Sequence, residues 1–339
     1  MKTRRYSSLR PEGLFPLPRI LFVKTSSLGD VVHNCPAVSD AARHLPDAII
    51  DWVVEESFAE IAALHASVRR VIPVAVRRWR GALLSSATWS EAAAFRDALR
   101  GERYDAVIDS QGLIKSALIA ALARGRRHGF DRASAREPFA ARFYDAVHPV
   151  PAELHAVERN RRLAGAALGY APDRCVDYGL RVEGDAPMQA GVHASSPYAL
   201  LLTMTSRQDK LWPEERWRAL VIWLQGQGVH CVLPWGTDEE HSRCTRIATA
   251  SPGAVVPERM PLTDLARLAR GARCVIGVDT GLTHLAAALE APALGLYCGS
   301  NPDLTGLHGH GRVRDLGAAD RSPEVAEVQE AFTGLAGQR

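Results

Sequence analysis

Short apolar strings recur along the chain, each followed by a loop of small or polar residues and then by a helix-like stretch. RILFVK (19–24) precedes TSSLGD and a helix starting near Asp30. IIDWVV (49–54), RRVIPVAV (69–76, broken by Pro73) and YDAVIDSQG (104–112) continue the series. These strings are apolar throughout rather than alternating, so the strands are buried on both faces. That pattern specifies an α/β fold with a parallel sheet covered by helices on each side. After a polar helix at 155–169, the segment from Tyr170 to Pro197 is irregular and rich in Gly and Pro. The alternation then restarts at 198–203 and runs through 229–236, CVIGVDTG (274–281) and ALGLYCG (293–299). A last helix is expected over about 324–335.

The expected organisation is a leader at 1–18, a first α/β domain at 19–172 and a linker at 173–197. A second α/β domain follows at 198–318, and a C-terminal helix at 319–339 packs back on the first domain. At 339 residues and 47% hydrophobic content, such a chain can bury two cores. Net charge is only +3, and aromatic residues are not interleaved with the basic runs, which places nucleic-acid binding last. The charge is uneven, however. Residues 1–172 carry 25 Lys/Arg against 18 Asp/Glu, and residues 173–339 carry 16 against 20. An anionic partner is expected at the first half. The six cysteines form no CxxC pair and mostly lie in apolar strings, as buried thiols in a reducing compartment do. No metal site is expected. The basic N-terminus leads into no apolar signal region, so a cytoplasmic location is expected, with basic residues able to meet an anionic membrane surface.

Four constellations carry chemistry. In KTSSLGD (24–30) a strand ends, small residues turn the chain, and Asp30 sits at a helix start, where it reads as a cap or as a catalytic carboxylate. The loop TSRQDKLW offers Thr205, Ser206 and Lys210 for phosphate oxygens, against a plain polar loop. DTGLTHLAAAL brings Asp279, Thr280 and Gly281 to a helix N-terminus whose free N–H groups suit a phosphate; His284 reads as a neighbour of that site or as a buried histidine. Arginines at 69, 70, 77, 78 and 80, with no acid between residues 61 and 90, and again at 124–136 and 159–162, read as a solvated face or as an anion-binding surface. Asp109, Glu55, Glu56 and Met260 are weaker candidates. KTSSLGD is neither a P-loop nor a glycine dinucleotide fingerprint, which sets a dehydrogenase aside.

The blocks KTSSLGDVVH, DWVVEESFAEI, VIPVAVRRWR, YDAVIDSQGLIKSA, HAVER, DKLWPEERW, LPWG and VDTGLTHLAAAL, in that order from about residue 19 to 305, resemble the lipopolysaccharide heptosyltransferases of the ADP-heptose glycosyltransferase family. The resemblance implies a GT-B architecture, two Rossmann-like domains with parallel sheets facing across a cleft. It implies an inverting transfer without metal or other cofactor, from ADP-L-glycero-β-D-manno-heptose to a Kdo sugar of Kdo2–lipid A at the cytoplasmic face of the inner membrane. Carried over residue by residue, it makes Asp30 the base. It assigns Thr205, Ser206, Lys210, Glu240, Met260, Asp279, Thr280, Gly281 and His284 to the donor, and Arg77, Arg78, Arg80 and Arg136 to the acceptor. Ser206 stands where a threonine is usual, and Glu239 is an alternative to Glu240. Other readings are an enzyme adding heptose to heptose and a non-catalytic nucleotide-sugar-binding protein.

Overall fold

The computed structural model describes residues 17–186, 196–309 and 312–336. The chain divides into two compact units at Gly179/Leu180. Most of the expected leader, and residues 187–195 of the expected linker, lie outside the described residues.

The first unit runs β1 (Arg19–Val23), α1 (Leu28–His44), β2 (Ile49–Glu55), α2 (Ala59–Ala63), β3 (Val68–Val74), α3 (Val76–Arg80), α4 (Ser86–Arg100), β4 (Arg103–Asp109), α5 (Ile114–Leu122), β5 (Arg124–Phe130), β6 (Ala146–His148) and α6 (Ala156–Leu168). Its six strands pair in the order β3-β2-β1-β4-β5-β6, all parallel. Pro73 is tolerated because β3 lies at the sheet edge. Leu21, Val23, Val53, Val107, Phe95 and Leu99 share one buried cluster between sheet and helices. Each such side chain contributes about 1.5–3 kcal/mol by leaving water. On α1, Val31, Val32, Cys35 and Val38 are buried, and this helix packs against α6. The α6 helix ends at Gly169, whose φ of 84° closes the last turn in the left-handed region.

The second unit runs β7 (Tyr198–Leu202), α7 (Glu214–Gly226), β8 (His230–Val232), α8 (Asp238–Ala248), β9 (Ala254–Val255), α9 (Leu262–Gly271), β10 (Cys274–Val278), α10 (Gly281–Ala288), β11 (Ala293–Tyr297), α11 (Pro302–Thr305), β12 (Val313–Gly317) and α12 (Val325–Ala336). Its six parallel strands pair in the order β12-β11-β10-β7-β8-β9. Alternate strand residues feed two separate clusters. Ala199, Leu201 and Ile276 enter one, and Leu200, Leu202 and Val275 enter the other. The sheet is therefore buried on both faces, as its unbroken apolar strings require.

Numbered from its own first strand, each sheet has the order 3-2-1-4-5-6, the doubly wound Rossmann arrangement. In that arrangement ligands meet the C-terminal ends of strands 1 and 4, where the winding reverses. Those ends are β1 and β4 in the first unit, and β7 and β10 in the second.

Val328, Ala331, Phe332 and Leu335 of α12 sit in the second unit's core with Trp217 and Leu220. No helix among the described residues is long and apolar enough to cross a membrane.

Candidate active site

In the first unit, β1 delivers Lys24, and Asp30 lies in the first turn of α1. The Asp30 carboxylate accepts the Ser27 N–H at 3.0 Å through Oδ2. The helix-start role is thus real, but it uses only part of the group. Arg136 grips both oxygens, at 2.6 Å to Oδ1 and 3.1 Å to Oδ2. Lys24 Nζ stands 3.7 Å from Oδ1. Burial would raise the carboxyl's pKa, but Lys24 and Arg136 outweigh it and hold the group far below the usual carboxylate range. Lys24 is itself buried, and desolvation brings its ammonium down to about 8 despite the attraction of Asp30. It donates to the Ser110 carbonyl at 2.8 Å. A cavity of about 20 Å³, room for one water, lies here, with Lys24, Gln111, Phe130, Arg136, Arg159 and Asn160 among its walls. Arg159 lies 4.9 Å over the Phe130 ring and donates to the Ser134 carbonyl. Two cations, Lys24 and Arg136, thus hold one ionised carboxylate, and Arg159 joins them at the wall of the adjoining cavity, which favours an anionic ligand there.

The turn after β4 is built by Asp109. Its buried carboxylate accepts from Gln111 N–H (2.9 Å), Gly112 N–H (3.3 Å), Ser116 Oγ (2.8 Å) and Tyr144 OH (2.7 Å). Asp109 therefore holds the loop rather than facing a ligand. The loop's Gln111 side-chain carbonyl accepts the N–H groups of Thr25 and Ser26, which ties the ends of β1 and β4 together.

In the second unit, β10 places Asp279 at its C-terminal end. Asp279 Oδ2 accepts from Lys210 Nζ at 2.6 Å and from Ser300 Oγ at 2.7 Å. His284 Nε2 lies 3.2 Å from Oδ1, and Thr205 Oγ1 donates to the Asp279 carbonyl at 2.9 Å. Burial alone would raise this carboxyl's pKa; His284, then Lys210 and Ser300, hold it well below the usual range. The carboxylate fixes Lys210 through one N–H and leaves the ammonium two further donors. Thr280 caps α10, and Gly281 opens its first turn. The helix can sit this close to β10 because residue 277 is glycine: a Cβ there would lie 2.2 Å from Thr283 Oγ1. Gly299 plays the same part for Ser300, since a Cβ would lie 2.5 Å from the Asp209 carbonyl oxygen. Beyond Ser300, the loop is held from beneath by Asp315, which accepts the Leu307 N–H at 3.2 and 3.1 Å. Burial pushes the Asp315 carboxyl up to about 6.

The remaining sequence candidates fall in different places. Ser206 is exposed beside this cluster. Glu240 turns its carboxylate onto the Gly236 N–H at 2.6 Å, while Glu239 is exposed. Met260 packs half-buried against the cluster of Leu200 and Leu202. Arg78 is ion-paired with Glu56 at 3.0 Å and with Glu91 at 2.8 Å. Arg77 lies 5.4 Å over the Phe58 ring, and Glu55 accepts its backbone N–H at 3.0 Å. Arg80 is exposed, and neither Arg77 nor Arg80 is ion-paired among the described residues. Arg69 and Arg70 bind the buried Asp51 and belong to the fold. Lys24, Gln111 and Ser300 carry no role in the sequence reading, and the available signal is their position just past β1, β4 and β11. Arg159 belongs to the basic run already read as an anion-binding surface or a solvated face.

The model of glycosyltransferase family 9 (heptosyltransferase) matches residues 92–330. The chain is 46% identical over 299 residues to lipopolysaccharide heptosyltransferase 1 of Escherichia coli, covering 87% of this chain and 92% of that protein. A solved structure of the E. coli heptosyltransferase WaaC with ADP superimposes with a TM-score of 0.84 at 41% identity, over 94% of this chain and 99% of that one. The same enzyme with ADP-2-deoxy-2-fluoro heptose gives 0.82 at 41% identity, over 93% and 99%. These matches extend over both units and both switch points, and the chain belongs to glycosyltransferase family 9, the heptosyltransferases.

Proposed function

We propose that this glycosyltransferase moves L-glycero-D-manno-heptose from ADP-heptose to a Kdo sugar of Kdo2–lipid A, inverting the anomeric centre, in the inner core of lipopolysaccharide. The observation that carries this reading is Asp30: an ionised carboxylate at the first unit's switch point, held by Lys24 and Arg136. Asp30 takes the proton of the acceptor hydroxyl as that oxygen attacks the anomeric carbon. The bond to the diphosphate breaks in the same step, so no covalent sugar–enzyme intermediate forms.

The departing ADP develops negative charge. Lys210, the Thr205 and Ser206 hydroxyls and the first N–H groups of α10 absorb it, and the reaction needs no metal. Asp279, itself held by His284 and Ser300, keeps Lys210 aimed. Glu240 and Met260 belong to the donor side. The E. coli complexes with ADP and with a fluorinated ADP-heptose support this donor class. On the acceptor side, Arg77, Arg80 and Arg136 offer guanidinium groups to carboxylates and phosphates, and Arg78 braces the segment through its two ion pairs. The enzyme works at the cytoplasmic face of the inner membrane as a peripheral protein.

Incubation with ADP-heptose, Kdo2–lipid A and excess chelator, followed by mass analysis, is expected to show the acceptor gaining one heptose. Asp30→Ala is expected to lower transfer by at least about 100-fold while ADP binding, measured by calorimetry, stays within a few-fold. Equal loss of binding and transfer in a folded variant removes Asp30 from the base role. Product formed only on acceptors that already carry heptose reassigns the acceptor.

A further inference from the structure

Among the described residues, ten large apolar side chains are exposed, and three fall within residues 83–89. Leu83 is 57% exposed, Leu84 is 103% exposed and Trp89 is 64% exposed. Leu83 and Leu84 lie in the turn from α3 into α4, and Trp89 lies in the first turn of α4. This turn is tightly made: Ala82 N–H donates to the Trp79 carbonyl and Ser85 N–H to the Ala82 carbonyl, both at 3.0 Å. Trp89 Nε1 donates to the Leu83 carbonyl at 2.8 Å, which satisfies the indole's polar edge and leaves its faces outward. Trp79, by contrast, is tucked in, packed on Phe95 with its N–H on Glu91. The apolar display is therefore a property of the turn and not of a loose segment.

The segment's own charge is basic: no acid occurs from residue 61 to 90. The acids that reach it from neighbouring elements are all engaged, Glu55 by the Arg77 backbone N–H and Glu56 and Glu91 by Arg78. Arg77 and Arg80 remain outside any ion pair among the described residues. A knob of two leucines and an indole beside two arginines outside any such ion pair matches the depth profile of an anionic bilayer: acyl chains, then the interfacial zone that Trp prefers, then phosphates.

We infer that the α3–α4 turn is a membrane-docking element, in which Leu83, Leu84 and Trp89 enter the outer layer of an anionic bilayer while Arg77 and Arg80 meet its phosphates. This deepens the proposed reading, on which it rests for why the enzyme visits a membrane; the binding itself is independent of that reading. Because the turn is already ordered, docking costs little conformational entropy. Each arginine is expected to strengthen binding about fivefold and each leucine at least about tenfold.

The test is sedimentation of the full chain with vesicles of phosphatidylethanolamine and phosphatidylglycerol that contain no Kdo lipid, against vesicles of phosphatidylcholine alone. The wild type is expected to bind the anionic vesicles and to release at high salt. Leu84→Ser, at a position that contributes no burial to the fold, is expected to weaken this about tenfold, and Leu83→Ser/Leu84→Ser further. Trp emission is expected to shift to the blue on binding, and the shift to vanish in Trp89→Phe. Transfer to a deacylated, water-soluble Kdo acceptor is expected to be unchanged in the leucine variants. This arm separates failure of the docking element from failure of the functional reading. Leucine variants that bind anionic vesicles as tightly as wild type overturn the inference. So does a wild type that sediments only with vesicles containing the acceptor lipid, since the turn would then be reading that lipid alone.

Discussion

Asp30 shares both carboxylate oxygens with Arg136 and one with Lys24, so as it stands it is a weak proton acceptor. An acceptor anion that draws Arg136 away removes one of the two charges depressing it, and its basicity rises when substrate is present. Arg136→Ala is expected to raise the acceptor KM at least tenfold, because a charge-assisted contact is worth about 1.5–3 kcal/mol. It is also expected to move the acid limb of the kcat/KM profile to higher pH, since the lost cation had lowered the Asp30 pKa. A profile that keeps its acid limb in place would show that Arg136 does not tune the base. On the proposed donor side, Lys210→Ala is expected to remove a charge-assisted phosphate contact and so to weaken ADP-heptose binding by about 10- to 150-fold. Unchanged affinity by calorimetry rejects the phosphate role.

At the scale of elements, the loop after β4 is held by the buried carboxylate of Asp109 and the loop after β11 by the half-buried carboxylate of Asp315. Asp109→Ala leaves two N–H groups and two hydroxyls without their acceptor, and is expected to cost about 2–4 kcal/mol, read as a lower denaturant midpoint with unchanged slope. Asp315 gives the second loop a pH dependence. Its folded pKa, about 6, lies above the ordinary 3.8, so between those values the native state holds a proton that the unfolded chain has lost. Stability therefore falls as pH rises through this window, by up to about 3 kcal/mol. Asp315→Asn is expected to flatten this fall in thermal unfolding followed from pH 4 to 7.

These elements also show what the sequence could reveal. β1, β7 and β10 are legible as almost wholly apolar strings, and β4 is legible from the apolar Ala106–Val107–Ile108 that follows its polar start. β5 (RGRRHGF) was read only as a basic run, because its first residues are polar and only His128, Gly129 and Phe130 are buried. β12 carries Arg314 and Asp315 and went unread for the same reason. The backbone positions of Asp30, Lys210 and Asp279 were legible because they follow strand ends. Their partnerships, Arg136 with Asp30 from 106 residues away and Ser300 with Asp279, were not, since periodicity carries no information about which distant loops meet.

For the whole molecule, the two units each carry their own core, one basic in composition and one acidic. ADP at 100 times its Kd is expected to stabilise what it binds by about 2.7 kcal/mol. Hydrogen exchange is expected to place the largest protection in peptides spanning 198–211 and 274–300. Maximal protection within 19–179 would reject the assignment of the nucleotide to the second unit. The repeated strand order has an evolutionary corollary. Because both sheets are wired alike, each unit seats a largely buried acid at the loops that follow its own first and fourth strands, and loops after other strands add its partners, Arg136 in the first unit and Ser300 in the second. Nucleotide choice and acceptor choice can then drift independently by exchange of a few loops, and chimeras that graft those loops between relatives should alter one specificity while preserving the other.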